Sequence, residues 1–107
     1  MGAKTRSYKV GDIEFYRVVK LGGFGWKVFF KLGDEKWVGT IVARRYIAFA
    51  PDIPPTGVRV TLQPLKGKFG FSKNWVAVAP PSDKGEAKLL VELTFNEIFS
   101  EMGVWWR

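Results

Sequence analysis

The chain has 107 residues, 47% apolar and 25% charged, with a net charge of +7; this suits one compact domain and excludes a disordered chain or two independent cores. The absence of both Cys and His excludes disulfides, thiolate chemistry, the usual zinc sites and the Ser-His and Cys-His nucleophile pairs. No enzyme activity, metal or cofactor is therefore expected.

Residues 1–7 are polar and basic and read as a flexible arm. From Ile13 to Leu21 the β-branched and aromatic content predicts a strand, with Ile13, Phe15, Arg17 and Val19 on one face. Glu14, Tyr16, Val18 and Lys20 form the other face, the one assigned to solvent. Gly22-Gly23 between two strand-like runs predicts a hairpin turn, since its spacing fits neither dinucleotide nor P-loop patterns. The next strand, Phe24 to Lys31, divides with period two. Phe24, Trp26, Val28 and Phe30 suit the core, whereas Lys27, Phe29 and Lys31 face outward, a ring between two cations. That ring is read either as a base-stacking surface or as a purely stabilising cross-strand partner of Tyr16.

Leu32 to Glu35 forms a turn. The run Lys36–Ala50 is long for one strand, and a bend is expected near Arg44-Arg45. At least one of these arginines should reach a basic surface with Tyr46 beside it. Pro51 to Gly57 is an extended loop. After it Val58, Val60 and Leu62 alternate with Arg59, Thr61 and Gln63, apolar in and polar out. Pro64-Leu65-Lys66-Gly67 turns the chain, and Phe69 to Ala79 returns as the last strand before Pro80-Pro81.

Asp83 and Glu86 then form a capping box. Ala87, Leu90, Val91, Thr94, Phe95, Ile98 and Met102 follow at helical spacing, and Gly103 is a stop signal. A helix over 83–102 packed on one face of the sheet is predicted, with a strand over 87–95 as the alternative for its first half. The expected fold is thus α+β over 1–107, a twisted, mostly antiparallel sheet of about five strands with one C-terminal helix. Trp105 and Trp106 dock either on their own molecule or, with the helix, on a second copy to form a homodimer.

The charge is unevenly spread. Residues 1–81 carry fourteen Lys and Arg against five Asp and Glu, and residues 82–107 carry three against five. No acid lies between Asp52 and Asp83, where Arg59, Lys66, Lys68 and Lys73 alternate with Phe69, Phe71 and Trp75. Cations for a phosphate backbone, interleaved with flat rings for unpaired bases, point to single-stranded nucleic acid. The expected contacts are Lys27, Lys31, Arg44, Arg45, Arg59, Lys66, Lys68 and Lys73 to phosphates, and Phe29, Tyr46, Phe69 and Trp75 to bases. Burial of Phe71 and Trp75 in a core is the competing reading. Alternatives of function are a chromatin-type duplex binder and a protein-assembly module using exposed rings.

The longest uncharged run, Asn74–Ser82, spans nine residues with two prolines, too short to cross a bilayer. The N-terminus lacks the apolar core of a signal peptide. A cytoplasmic protein is expected, nucleoid-associated if prokaryotic, with no membrane partner. The side-chain amides are limited to Gln63, Asn74 and Asn96, which together with many Lys, Arg and Glu fits a heat-adapted source.

Lys66-Gly67-Lys68-Phe69-Gly70-Phe71 resembles the Lys-Gly-Phe-Gly-Phe core of RNA-recognition motifs and cold-shock domains, with Lys68 as an extra residue inside the pattern. A longer likeness runs from Pro54-Pro-Thr-Gly-Val-Arg-Val60 through Ser72-Lys-Asn-Trp-Val76 and Pro80-Pro81 to Phe95-Asn-Glu-Ile-Phe99. This half of the chain resembles the ThermoDBP-type single-stranded DNA-binding proteins of hyperthermophilic archaea. The resemblance implies a cytoplasmic oligomer that holds single strands, DNA before RNA, in a basic aromatic cleft. No long C-terminal coiled coil follows here.

Overall fold

A computed structural model describes residues 13–44, 57–67 and 69–101, with side chains to residue 98. Five strands and one helix follow in order: β1 (Ile13–Lys20), β2 (Trp26–Leu32), β3 (Glu35–Arg44), β4 (Gly57–Pro64), β5 (Phe71–Val76) and α1 (Lys84–Glu101). The strands form one open antiparallel sheet in sequential order β1-β2-β3-β4-β5. The architecture is the expected α+β, and residues 87–95 are helical rather than extended. The bend expected near Arg44-Arg45 falls where β3 ends at Arg44; the arm 1–7, Arg45, Tyr46, Lys68, Met102, Gly103, Trp105 and Trp106 lie outside the described residues.

Short turns suit this meander. Gly33, at φ 63°, adopts the left-handed backbone that lets β2 reverse into β3 through two residues. Gly67 N donates to Pro64 O at 3.1 Å to close the turn after β4. Capping at α1 follows the sequence signature: Glu86 N donates to Asp83 Oδ1 at 2.8 Å, and Glu86 Oε1 accepts from Ser82 N at 2.9 Å.

One face of the sheet meets the helix. Trp26, Val28, Phe30 and Leu32 of β2, Trp37 and Ile41 of β3, and Val58, Val60 and Leu62 of β4 are buried against Ala87, Leu90, Val91, Phe95 and Ile98. Gly39 lies at the centre. A Cβ there would meet Val91 Cγ2 at 3.0 Å and Leu62 Cδ2 at 3.3 Å, so its missing side chain lets the helix approach the strands. Phe24, expected in the core, stands before β2 and is half exposed, because the turn carries it off the buried face.

Among the described residues the register shifts once, at a bulge between Phe15 and Arg17. It changes the predicted faces of β1: Phe15 and Val18 both pack on the core, while Tyr16 and Arg17 are both exposed. In β3 the alternation continues through Val42 and Ala43 to Arg44, with Val42 exposed opposite Arg59. β5 is shorter than the predicted Phe69–Ala79. Ala77, at φ 63°, turns the chain out of it.

Gly39→Val is expected to lower the unfolding free energy by about 1–3 kcal/mol through overpacking under Val91. Urea denaturation measures this, and an unchanged midpoint would place the close helix contact elsewhere.

Candidate nucleic-acid interface

The register assigns the outward side chains. In an antiparallel pair, directly opposed residues share a face, so the partners of the buried positions define the inner face and the intervening positions the open, helix-free one. On β2, Lys27, Phe29 and Lys31 oppose Thr40, Val38 and Lys36 of β3. Farther across, Val42 opposes Arg59, Arg44 opposes Gly57, Arg59 opposes Asn74 and Thr61 opposes Ser72. The open face thus carries Arg17, Lys27, Lys31, Lys36, Arg44 and Arg59, with Glu14 as the acid opposite Lys31.

An aromatic and cationic quartet occupies the β1–β2 side of this face. The Tyr16 and Phe29 rings lie 6.2 Å apart and tilted. Arg17 Cζ stands 5.7 Å from the Phe29 centroid, and Lys31 Nζ 5.8 Å from that of Tyr16. Tyr16 is 45% exposed, whereas Phe29 is half-buried beneath its neighbours. Phe29 thus pairs with Tyr16, as the stabilising reading expects, and stands between Lys27 and Lys31 on the open face.

At the β4–β5 side, Arg59 Nε donates to Asn74 Oδ1 at 3.1 Å, which fixes the guanidinium while leaving its terminal nitrogens for an anion. Thr61 and Ser72 hydroxyls bond beside it at 3.0 Å. The connection after β4 carries exposed Leu65 and Lys66, and Phe69 there is 86% exposed. Next to it, a cleft of about 520 Å³ between the β2–β3 and β4–β5 connections is lined by Asp34, Glu35, Lys36, Pro64, Leu65, Lys66 and Gly67. Its charges are of both signs.

Two of the predicted contacts belong elsewhere. Trp75 opposes Val58 and Lys73 opposes Val60, which puts both on the inner face. Trp75 packs against the core and donates from Nε1 to Thr94 Oγ1 at 3.0 Å, and the Thr94 hydroxyl in turn donates a hydrogen bond to Leu90 O at 2.7 Å. Lys73 Nζ lies 3.7 Å from Glu97 of the helix and 5.1 Å from the Trp75 centroid. A base cannot stack on Trp75 from the open face. Lys27, Phe29, Lys31, Arg44 and Arg59 are brought together there, with Lys66 and Phe69 in the β4–β5 connection. Arg45, Tyr46 and Lys68 are outside the described residues.

Arg17, Lys36 and Asn74 join the face without having been expected there from the sequence, and Tyr16 joins it as the expected cross-strand partner of Phe29. Lys36 and Asn74 follow from parity with Lys31 and Arg59 once strand pairing is known. Arg17 follows only from the bulge. Among the described residues no group of three or more His, Cys, Asp and Glu could hold a metal, and no helix is long and apolar enough to cross a membrane. No family model, curated protein or solved structure matches the chain, so its chemistry is read from these side chains.

Trp75→Phe is expected to cost about 0.5–1.5 kcal/mol of stability through the lost bond to Thr94, seen as a lower denaturation midpoint. Oligonucleotide affinity should be unchanged, and a selective loss of binding would return Trp75 to the interface.

Proposed function

We propose that the open face of the sheet binds single-stranded nucleic acid with little sequence preference, DNA before RNA, and that the chain acts as a cytoplasmic binding protein rather than an enzyme. The carrying observation is the gathering of Arg17, Lys27, Lys31, Lys36, Arg44 and Arg59 on that face. Lys31 directly opposes Lys36; like charges so placed repel and destabilise a sheet, and a polyanion laid across them removes that cost. Cations alone do not distinguish single strands from duplex, whose charge is denser. The rings do: Phe69 is 86% exposed in the β4–β5 connection, and Tyr16, 45% exposed, pairs with Phe29 at the β1–β2 side. The ThermoDBP-type likeness implies the same function and a heat-adapted archaeal source.

Affinity for an oligothymidylate should fall on the order of 10²-fold between 50 and 200 mM salt if six cations meet phosphates. Phe69→Ala should weaken binding by about 1–3 kcal/mol with the salt slope preserved, the signature of a lost stack. Equal affinity for single strand and duplex, unaffected by that substitution, would favour charge-only duplex binding.

A second reading concerns assembly. Leu89 and Leu93 are 54% and 46% exposed and lie four residues apart on α1, away from the core positions. A second copy of the chain covering them forms a homodimer that leaves the basic face open. Leu89→Lys with Leu93→Lys should shift the sedimentation coefficient to the monomer value, and a parent protein that already sediments as a monomer at all concentrations would dismiss the dimer.

A further inference from the structure

A second cationic feature lies at the β1 edge. A cavity of about 380 Å³ is lined by Phe15, Tyr16, Arg17 and Val18 of β1 and by Lys84 and Lys88 of the helix. Lys84 and Lys88 are four residues apart, so they project from the same side of α1. Their side is the one next to Val91 and Phe95, toward the sheet. Three cations line this cavity and no carboxylate does. Among the described residues the ion pair formed is Lys73–Glu97, which leaves Arg17, Lys84 and Lys88 without a carboxylate partner.

The placement is unfavourable to the protein alone. Lys84 is the first residue of α1, where the helix dipole disfavours a cation. Of the helix-terminal N–H groups, Glu86 N is taken by Asp83 Oδ1, while the cations that line the cavity belong to side chains. Arg17 belongs to both regions: its guanidinium stands over Phe29 on the open face, and it lines the cavity at the edge. Tyr16 likewise faces both.

We infer that this cavity is a phosphate site, in which Arg17, Lys84 and Lys88 hold a phosphoryl group of a nucleic-acid strand that leaves the open face over β1 and turns toward the helix. The inference rests on the single-strand reading of the sheet, and extends the interface to an element whose overall acidity argues against it. Phosphoryl groups of two kinds share the chemistry, an internal phosphodiester and a terminal phosphomonoester.

The test is the variant Lys84→Gln with Lys88→Gln, titrated with an oligothymidylate of about 20 nucleotides, longer than a typical single-strand site. Two lost phosphate contacts should reduce the slope of log affinity against log salt by roughly 1.4, and affinity on the order of 10-fold or more at 50 mM salt. Unchanged slope and affinity would overturn the edge site while leaving the sheet-face reading intact. Comparing short oligonucleotides with and without a 5′- or 3′-phosphate separates the sources: a gain that disappears in the variant assigns a strand end, and equal binding with a reduced slope assigns an internal phosphate. If the parent protein ignores oligonucleotides, the sheet-face reading fails, and inorganic phosphate followed by NMR decides the cavity. Shifts at Lys84, Lys88 and Arg17 would support the anion site, and none would overturn it. Both lysines are exposed, so the substitutions should leave the thermal transition in place.

Discussion

Everything distinctive about this molecule depends on the seating of one helix on one face of a five-stranded sheet. The contact is close because Gly39 offers no side chain where Val91 arrives. Around it Ala87, Leu90, Phe95 and Ile98 seal the inner residues of β2, β3 and β4. A single helix can cover only one side of an open sheet, so the other must be compatible with water. Alternation then sorts most of β2, β3 and β4: their large apolar side chains go under the helix, and Lys27, Lys31, Lys36, Thr40, Arg44, Arg59 and Thr61 go to the uncovered side. The basic face is in this sense a consequence of the core.

Strands β2 and β4 were readable directly, because each has one uninterrupted apolar set and a pleat cannot satisfy it in two ways. The helix was readable from its spacing and its capping box. β1 was not, since a bulge has no compositional mark in Phe15-Tyr16-Arg17, and the extra residue reverses the parity of everything after it. β5 misled for another reason. Phe71, Lys73 and Trp75 share one parity, so a core position for Phe71 commits the other two, however basic or flat they are. The sequence pattern of alternating rings and lysines looks the same whether its partner is a base or a helix. Thr94, the buried hydroxyl on α1, decides between them by accepting the indole proton.

The two sets of cations are held differently, and the difference bears on what they can do. Lys73 is matched to Glu97 and lies near the Trp75 ring; its charge is locally answered. Lys31 and Lys36 stand opposite one another, and Arg17 and Lys31 rest against the rings of Phe29 and Tyr16. A cation over a ring is weakly held, worth roughly 0.5–1 kcal/mol at an exposed site, against about twice the strength of a neutral hydrogen bond when it meets a phosphate oxygen.

On the proposed reading, that ordering would let the face exist in two states, free and strand-bound. Without a ligand, Arg17 and Lys31 shelter apolar ring surface that would otherwise lie open, which limits the exposed hydrophobic area of the sheet. With a strand present, the same side chains gain more by turning to phosphates, and the rings they leave become available to bases. Phe29 is half-buried partly beneath the Arg17 guanidinium, a charged group that phosphate would hold more strongly than the ring does. Arg59 would need no such exchange: Asn74 already accepts from its Nε at 3.1 Å, which restrains the guanidinium without using its terminal nitrogens. On the proposed reading the face combines an arginine held in place on β4 with a ring-and-cation cluster at β1, which would suit a flexible backbone whose base sequence varies.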